Sequence, residues 1–309
     1  MKNTIQNERL RVTFRYDPET LYSQRFEAAG VIEQVCLDGT FFFCEPEQRT
    51  PERVTCNGVG LCGEYVWDEL AQEVAPGELF PKIGVGLLRQ RPEGGAYNMW
   101  KHYEVQPFPV RASMEGDHAY FCQEGISCLG IAARLTKEVV LRGNEIHTTV
   151  TLENTGTRKL ELKEYQHNFV SLQGRETGPG YRLEIPFVKS LAGIEHAAYD
   201  IANPVSRLSG YMQAQGNTIV WEQKMNGHGY HLDIPKEALD TSNGAYWKLS
   251  CEDVPVSVAE RLTFEPSRVV LWGVEHCICT EVYIPISVEP GKKQTWTRIW
   301  QFTREDCHG

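Results

Sequence analysis

Apolar and polar residues alternate with a period of two along much of this 309-residue chain, as in strands that bury one face. Residues 145–153 show it cleanly: Ile146, Thr148, Val150 and Leu152 fall on one side, Glu145, His147, Thr149 and Thr151 on the other. Asn154-Thr155-Gly156 then supplies turn residues, and Leu160-Glu161-Leu162-Lys163 resumes the alternation, which predicts a hairpin. Gly143-Asn144, Asn243-Gly244 and Glu289-Pro290-Gly291 predict further hairpin-type turns. Residues 296–302 alternate again and read as a closing strand. Helical signals are confined to 66–74 and 236–240. No linker, internal repeat or shift in composition divides the chain. The pattern therefore predicts a single all-β domain over 1–309, a large antiparallel β-sandwich.

Composition adds exclusions more than identifications. At 41% hydrophobic and 23% charged, the chain has ample material for a core. The 7 Trp, 13 Tyr and 12 Phe suit both sheet packing and a sugar-binding face. A formal charge of −10 and the lack of any basic cluster argue against nucleic acid or an anionic membrane as partner. The N-terminus has no apolar signal-peptide core, and no apolar run is long enough to span a bilayer, so a cytoplasmic location is expected. In that reducing setting the 10 cysteines read as buried small hydrophobes. There is no Cys-x-x-Cys and no zinc spacing, so no metal site is expected. Oligomeric state is not legible.

Two strands carry the candidate chemistry. In 277–289, Ile278, Thr280, Val282, Ile284, Ile286 and Val288 form a core row, which sends Glu281 to the opposite face with Cys277, Cys279 and Tyr283. Glu281 is either a proton-transfer group in a semi-polar lining or a surface glutamate on an edge strand. In Tyr165-Gln166-His167-Asn168-Phe169, His167 shares a face with two aromatics, as a core histidine or as one placed for proton delivery near neutral pH. Lys82, Arg89 and Arg91 place cations near glycines, without the third glycine or the strand-to-helix context of a nucleotide loop. His102, behind Trp100-Lys101, and His228, in a turn shared with His231, are further candidates or solvated loop residues. His228-x-x-His231 lacks a third ligand at metal spacing. Hydrolase elbow, zincin and P-loop signatures are absent.

Asn154-Thr155-Gly156 leading into Tyr165-Gln166-His167-Asn168-Phe169 resembles the aldose 1-epimerases and hexose-phosphate epimerases of the galactose mutarotase-like superfamily. Ile278-Cys279-Thr280-Glu281, followed by Val288-Glu289-Pro290-Gly291 and Thr295-Trp296, is similar to that family's carboxylate strand and the turn before its last strand. The resemblance covers about the last half of the chain. It implies a β-supersandwich whose open sheet binds a sugar, with His167 as general acid on the ring oxygen and Glu281 as general base on the anomeric hydroxyl. It implies no metal or organic cofactor. The family also carries a second histidine in its first half, commonly beside an arginine. Here His102 stands behind Trp100-Lys101 instead and serves as a candidate substrate contact, with Lys82, Arg89, Tyr165 and His228. Glu275 competes with Glu281 as the base. The expected function is an aldose 1-epimerase-like mutarotase acting on a sugar or an acidic sugar, with the cations above as partners for an acidic group. A non-catalytic carbohydrate-binding protein and a lyase or glycosidase on the same fold are the alternatives.

Overall fold

The computed structural model describes residues 3–16, 23–49, 56–193, 199–200 and 210–305. Strands dominate it, in two ten-stranded sheets and a small three-stranded one. The first sheet runs Thr4–Gln6, Leu10–Arg15, Val31–Leu37, Leu61–Val66, Leu160–Asn168, Cys277–Val288, Arg268–Val274, Tyr230–Pro235 and Tyr199–Asp200, with Phe41–Phe42 beside the third. The second runs Met212–Gln215, Thr218–Trp221, Tyr181–Glu184, Ala245–Cys251, Val254–Leu262, Lys293–Arg304, Glu145–Asn154, Ala133–Arg142, His118–Glu124 and Val110–Glu115. Leu79–Lys82, Gly86–Arg89 and Val105–Pro107 make the third. Neighbouring strands pair antiparallel, as the sequence predicts.

The core lies between the two large sheets. Alternation holds where it was clearest: Ile146, Thr148, Val150 and Leu152 are buried and their neighbours half-buried. Leu162, Val282, Ile284 and Ile286 of the first sheet share one apolar cluster with Leu135, Ile146, Trp300 and Phe302 of the second. Phe14 meets Phe121 across the layers with ring centroids 5.1 Å apart.

Turn chemistry misleads at two places. Glu145–Asn154 belongs to the second sheet and Leu160–Asn168 to the first, so Asn154-Thr155-Gly156 turns a corner between sheets and closes no hairpin. The same holds for Glu289-Pro290-Gly291, which carries Cys277–Val288 of the first sheet into Lys293–Arg304 of the second. The two corners are fastened together. The Asn154 backbone N–H donates to Lys292 O at 2.9 Å, Gly291 N–H donates to Asn154 O at 2.9 Å, and Asn154 Nδ2 donates to Val288 O at 2.8 Å. Local residues specify that the chain turns, and only the partner strand decides whether it returns to the same sheet.

Gly143-Asn144 is a true two-residue hairpin, joining Arg142 to its partner Glu145 with Gly143 at φ +57°. Asn243-Gly244 instead leads from a short 3₁₀ turn, Lys236–Ala238, into Ala245–Cys251. A second 3₁₀ turn, Asp68–Glu73, occupies the other helical stretch. The predicted closing strand widens to Lys293–Arg304 and lies inside the second sheet, between Val254–Leu262 and Glu145–Asn154. The described cysteines are free thiols, all buried except the half-buried Cys128, and Cys307 lies outside the described residues. No helix among the described residues is long and apolar enough to cross a membrane.

Candidate active site

His167 and Glu281 stand side by side at the middle of the first sheet. Paired register runs from Leu160↔Val288 to Tyr165↔Tyr283 and returns at the Val170↔Ile278 bridge. Counting inward from either end sets His167 opposite Glu281. Alternation turns both away from the core row, and Nε2 of His167 lies 3.1 Å from Oε1 of Glu281. Cys277–Val288 is an interior strand and Glu281 is only 4% exposed, so the surface-edge reading of this glutamate fails.

Aromatic rings wall the pair. Phe169 stacks on the imidazole with centroids 3.8 Å apart and planes at 11°. Phe26 and Trp272 meet it edge-on at 5.8 and 5.2 Å. On the Glu281 side, Tyr165 and Tyr283 stack at 4.5 Å, and the Tyr283 hydroxyl donates to Oε2 of Glu281 at 3.3 Å.

A buried charge cluster adjoins the tyrosines. Arg25 donates from Nε to Glu64 at 2.7 Å and from Nη2 to the Tyr165 hydroxyl at 2.7 Å, with Glu47 3.6 Å from Nη1. Lys82 donates to the other oxygen of Glu64 at 3.1 Å, and the Tyr165 hydroxyl donates to Glu64 as well. Sequence reasoning missed Arg25, Glu47 and Glu64. Glu64 had a signal, as the lone charge in the apolar strand Leu61–Val66. Nothing in the sequence joins position 25 to position 64.

Neither a family model nor a curated protein matches this sequence. Solved structures do match along nearly their whole length. A galactose mutarotase-like protein from Lactobacillus casei ATCC 334 superposes with TM-score 0.58 at 11% identity, covering 97% of this chain and 99% of that one. Another from Clostridium acetobutylicum gives 0.56 at 11%, with 97% and 94% covered. An aldose epimerase homologue from C. elegans gives 0.53 at 10%, with 98% of each covered. This chain has the galactose mutarotase-like fold.

Within that fold, burial decides where protons sit. It pushes Glu281 up to about 8, with Arg25 opposing and Glu64 adding to the rise. Burial also holds His167 well below its ordinary value, and Arg25 adds to the lowering. Near neutral pH the pair thus keeps its proton on Glu281 beside an uncharged imidazole, the reverse of the roles the resemblance implies. Nδ1 of His167 has no hydrogen-bond partner among the described residues. Burial raises Glu64 less than Lys82, Arg25 and Tyr165 lower it, so it stays ionised.

The other candidates divide. Tyr165 and Lys82 belong to the cluster around the pair. Arg89 sits on the small sheet, bonded to Glu104 at 2.9 Å and to Gly77 O at 2.7 Å, and Arg91 pairs with Glu93. His102 is exposed, on a loop tied beside Arg25 by the Gln24 amide, which donates to Met99 O at 3.0 Å and to Lys101 O. His228 forms a separate group, with Nδ1 2.7 Å from Asp200 and Nε2 3.1 Å from the Tyr211 hydroxyl. Among the described residues no hydrogen bond or ion pair links Arg89, His102 or His228 to the central pair. Glu275 is exposed in a turn, accepting from Gly227 N at 3.0 Å, which removes it as the competing base. No group of three or more His, Cys, Asp and Glu among the described residues is placed to hold a metal ion.

Proposed function

We propose that this chain interconverts the anomers of a sugar, with His167 and Glu281 as the proton-transfer pair. The observation that supports this most is their convergence at 3.1 Å from adjacent strands of a mutarotase-like sheet. Mutarotation needs one proton delivered to the ring oxygen and one removed from the anomeric hydroxyl. The ring opens, the C1–C2 bond rotates, and reclosure reverses both transfers. A pair that holds one transferable proton is sufficient, and it is restored after each cycle. With that proton resting on Glu281, the carboxyl acts first as acid and the imidazole as base, with the opposite assignment on reclosure.

Charge pairing favours a neutral sugar over an acidic one. Lys82 is opposed by Glu64, Arg89 by Glu104 and Arg91 by Glu93, so each cation considered for a phosphate or carboxylate already has an anion. A glycosidase would need a second available carboxylate, and Glu64 is held by Arg25 and Lys82. One observation weighs against catalysis and keeps a non-catalytic protein on this fold as the second reading: at 1% exposure His167 is closed off.

One experiment separates these readings. Freshly dissolved α-anomers of a panel of neutral hexoses are followed by NMR with the wild type, His167→Ala and Glu281→Gln. Each variant is expected to lose about 10²–10⁴-fold of the acceleration. A wild type that relaxes every sugar no faster than buffer ends the mutarotase reading. Calorimetric binding that persists in Glu281→Gln without turnover would favour the binding protein.

A further inference from the structure

The backbone ladder between the two strands that carry His167 and Glu281 lapses at that pair. Register is continuous through Tyr165↔Tyr283, absent over the next four positions, and restored at Val170↔Ile278. Ile278 exchanges both backbone hydrogen bonds with Val170, so by alternation the carbonyls of Thr280 and Val282 also face the Leu160–Asn168 strand. In an unbroken ladder they would accept from the backbone N–H groups of Asn168 and Gln166. Side chains serve them instead. Asn168 Nδ2 donates to Thr280 O at 2.8 Å, and Arg298 Nη2 donates to Val282 O at 2.8 Å.

Both substitutes are anchored from the opposite sheet. Glu260 accepts from Arg298 at 3.0 Å, from Trp247 Nε1 at 2.7 Å and from Asn168 at 3.3 Å, while Arg298 also donates to Glu164 at 2.8 Å. All five side chains are buried. Buried carbonyls without donors are costly, so a gap that is filled on both carbonyls has a defined width.

We infer that Asn168 and Arg298 are positioning residues that set the separation of the two strands where they carry His167 and Glu281. The chemical part of this inference rests on the proposed mutarotase reading. Where the ladder has lapsed, the Glu260-anchored bonds from Asn168 to Thr280 O and from Arg298 to Val282 O fix how far the imidazole stands from the carboxyl.

The test uses the full chain with Asn168→Leu, which keeps the volume and removes the donor. Its kcat for mutarotation is expected to fall tenfold or more while KM stays within twofold, and the imidazole ¹⁵N resonances of His167 should shift. Asn168→Gln, which keeps the amide, should recover part of kcat. Wild-type kcat together with unmoved ring resonances in Asn168→Leu overturns the inference. If Asn168→Leu does not fold, Trp247→Phe takes its place with the same readings, because it removes the indole donor to Glu260 while keeping an aromatic ring at that position. If the wild type catalyses no mutarotation, the proposed function fails and the His167 resonances alone decide whether Asn168 sets the spacing.

Discussion

Arg25 and Glu64 form an ion pair 2.7 Å across, with side chains only 7% and 6% exposed. Lys82 holds the second carboxylate oxygen, so Glu64 bridges two cations beside the candidate pair, with Glu47 3.6 Å from Arg25 as a second carboxyl. Removing one member of a buried pair leaves an uncompensated charge and costs about 3–5 kcal/mol. Glu64→Gln keeps the shape and deletes the charge. Its urea midpoint should fall by that loss divided by the m-value, with the m-value itself unchanged. A midpoint equal to wild type would mean that Glu47 alone can balance Arg25.

The raised carboxyl of Glu281 gives stability a pH dependence whose sign can be worked out. Between its ordinary value and about 8, the folded protein keeps a proton that the unfolded chain gives up. Stability therefore falls as pH rises through that window, by up to about 1.4 kcal/mol per unit. His167, held low by burial, acts oppositely: below its ordinary value the unfolded chain takes a proton that the folded protein refuses, so stability falls with acid. From roughly pH 6.5 to 8 His167 therefore no longer opposes the Glu281 effect. His276, raised by Cys277 and the Pro46 carbonyl against its burial, adds a decline of the same sign that Glu281→Gln leaves in place. Unfolding free energies measured across that interval should decline in the wild type and decline less in Glu281→Gln. Parallel curves would show that Glu281 is ionised when folded.

How much of this site could be read beforehand depends on what each residue's neighbours encode. His167 and Glu281 were legible because each sits in a strand whose alternation assigns its face, and because a resemblance ranked them above the other histidines and carboxylates. Their direct opposition was not legible, since register depends on a partner strand over a hundred residues away. The corners at Asn154 and Glu289 carry hairpin residues, so sequence put them in the wrong context. Arg25 was invisible for a different reason. It lies outside any periodic segment, and its role appears only when Glu64, Tyr165 and Lys82 arrive from three strands.

Phe169 keeps water from one face of the imidazole by stacking on it at 3.8 Å. If desolvation is what lowers His167, Phe169→Ala should raise its titration midpoint toward the ordinary histidine value as water enters the vacated space. Truncating a buried phenylalanine should also cost about 3–5 kcal/mol. ¹⁵N NMR of the ring nitrogens against pH, at a temperature where the variant stays folded, reads the first effect separately from the second. An unmoved midpoint would assign the lowering to Arg25 instead.

Arg298 links the sheets through Glu164 and Glu260, with all three side chains nearly inaccessible. Burial raises both carboxyls, and Arg298 is the main force pulling each back down. Arg298→Met takes the principal cation from two buried carboxyls, and a loss of about 3–5 kcal/mol is expected. The loss should grow with pH: without Arg298 both groups stay protonated in the fold while the unfolded chain ionises, so each rising unit favours unfolding. Denaturation at pH 5 and pH 8 should therefore show a smaller difference from wild type at the acidic end. Adding Glu164→Gln and Glu260→Gln removes both titrating groups and should flatten the pH dependence, since charge is then absent from the cluster altogether. A single variant whose deficit is equal at both pH values would show that packing around the Arg298 stem, and not its charge, holds these two sheets in register.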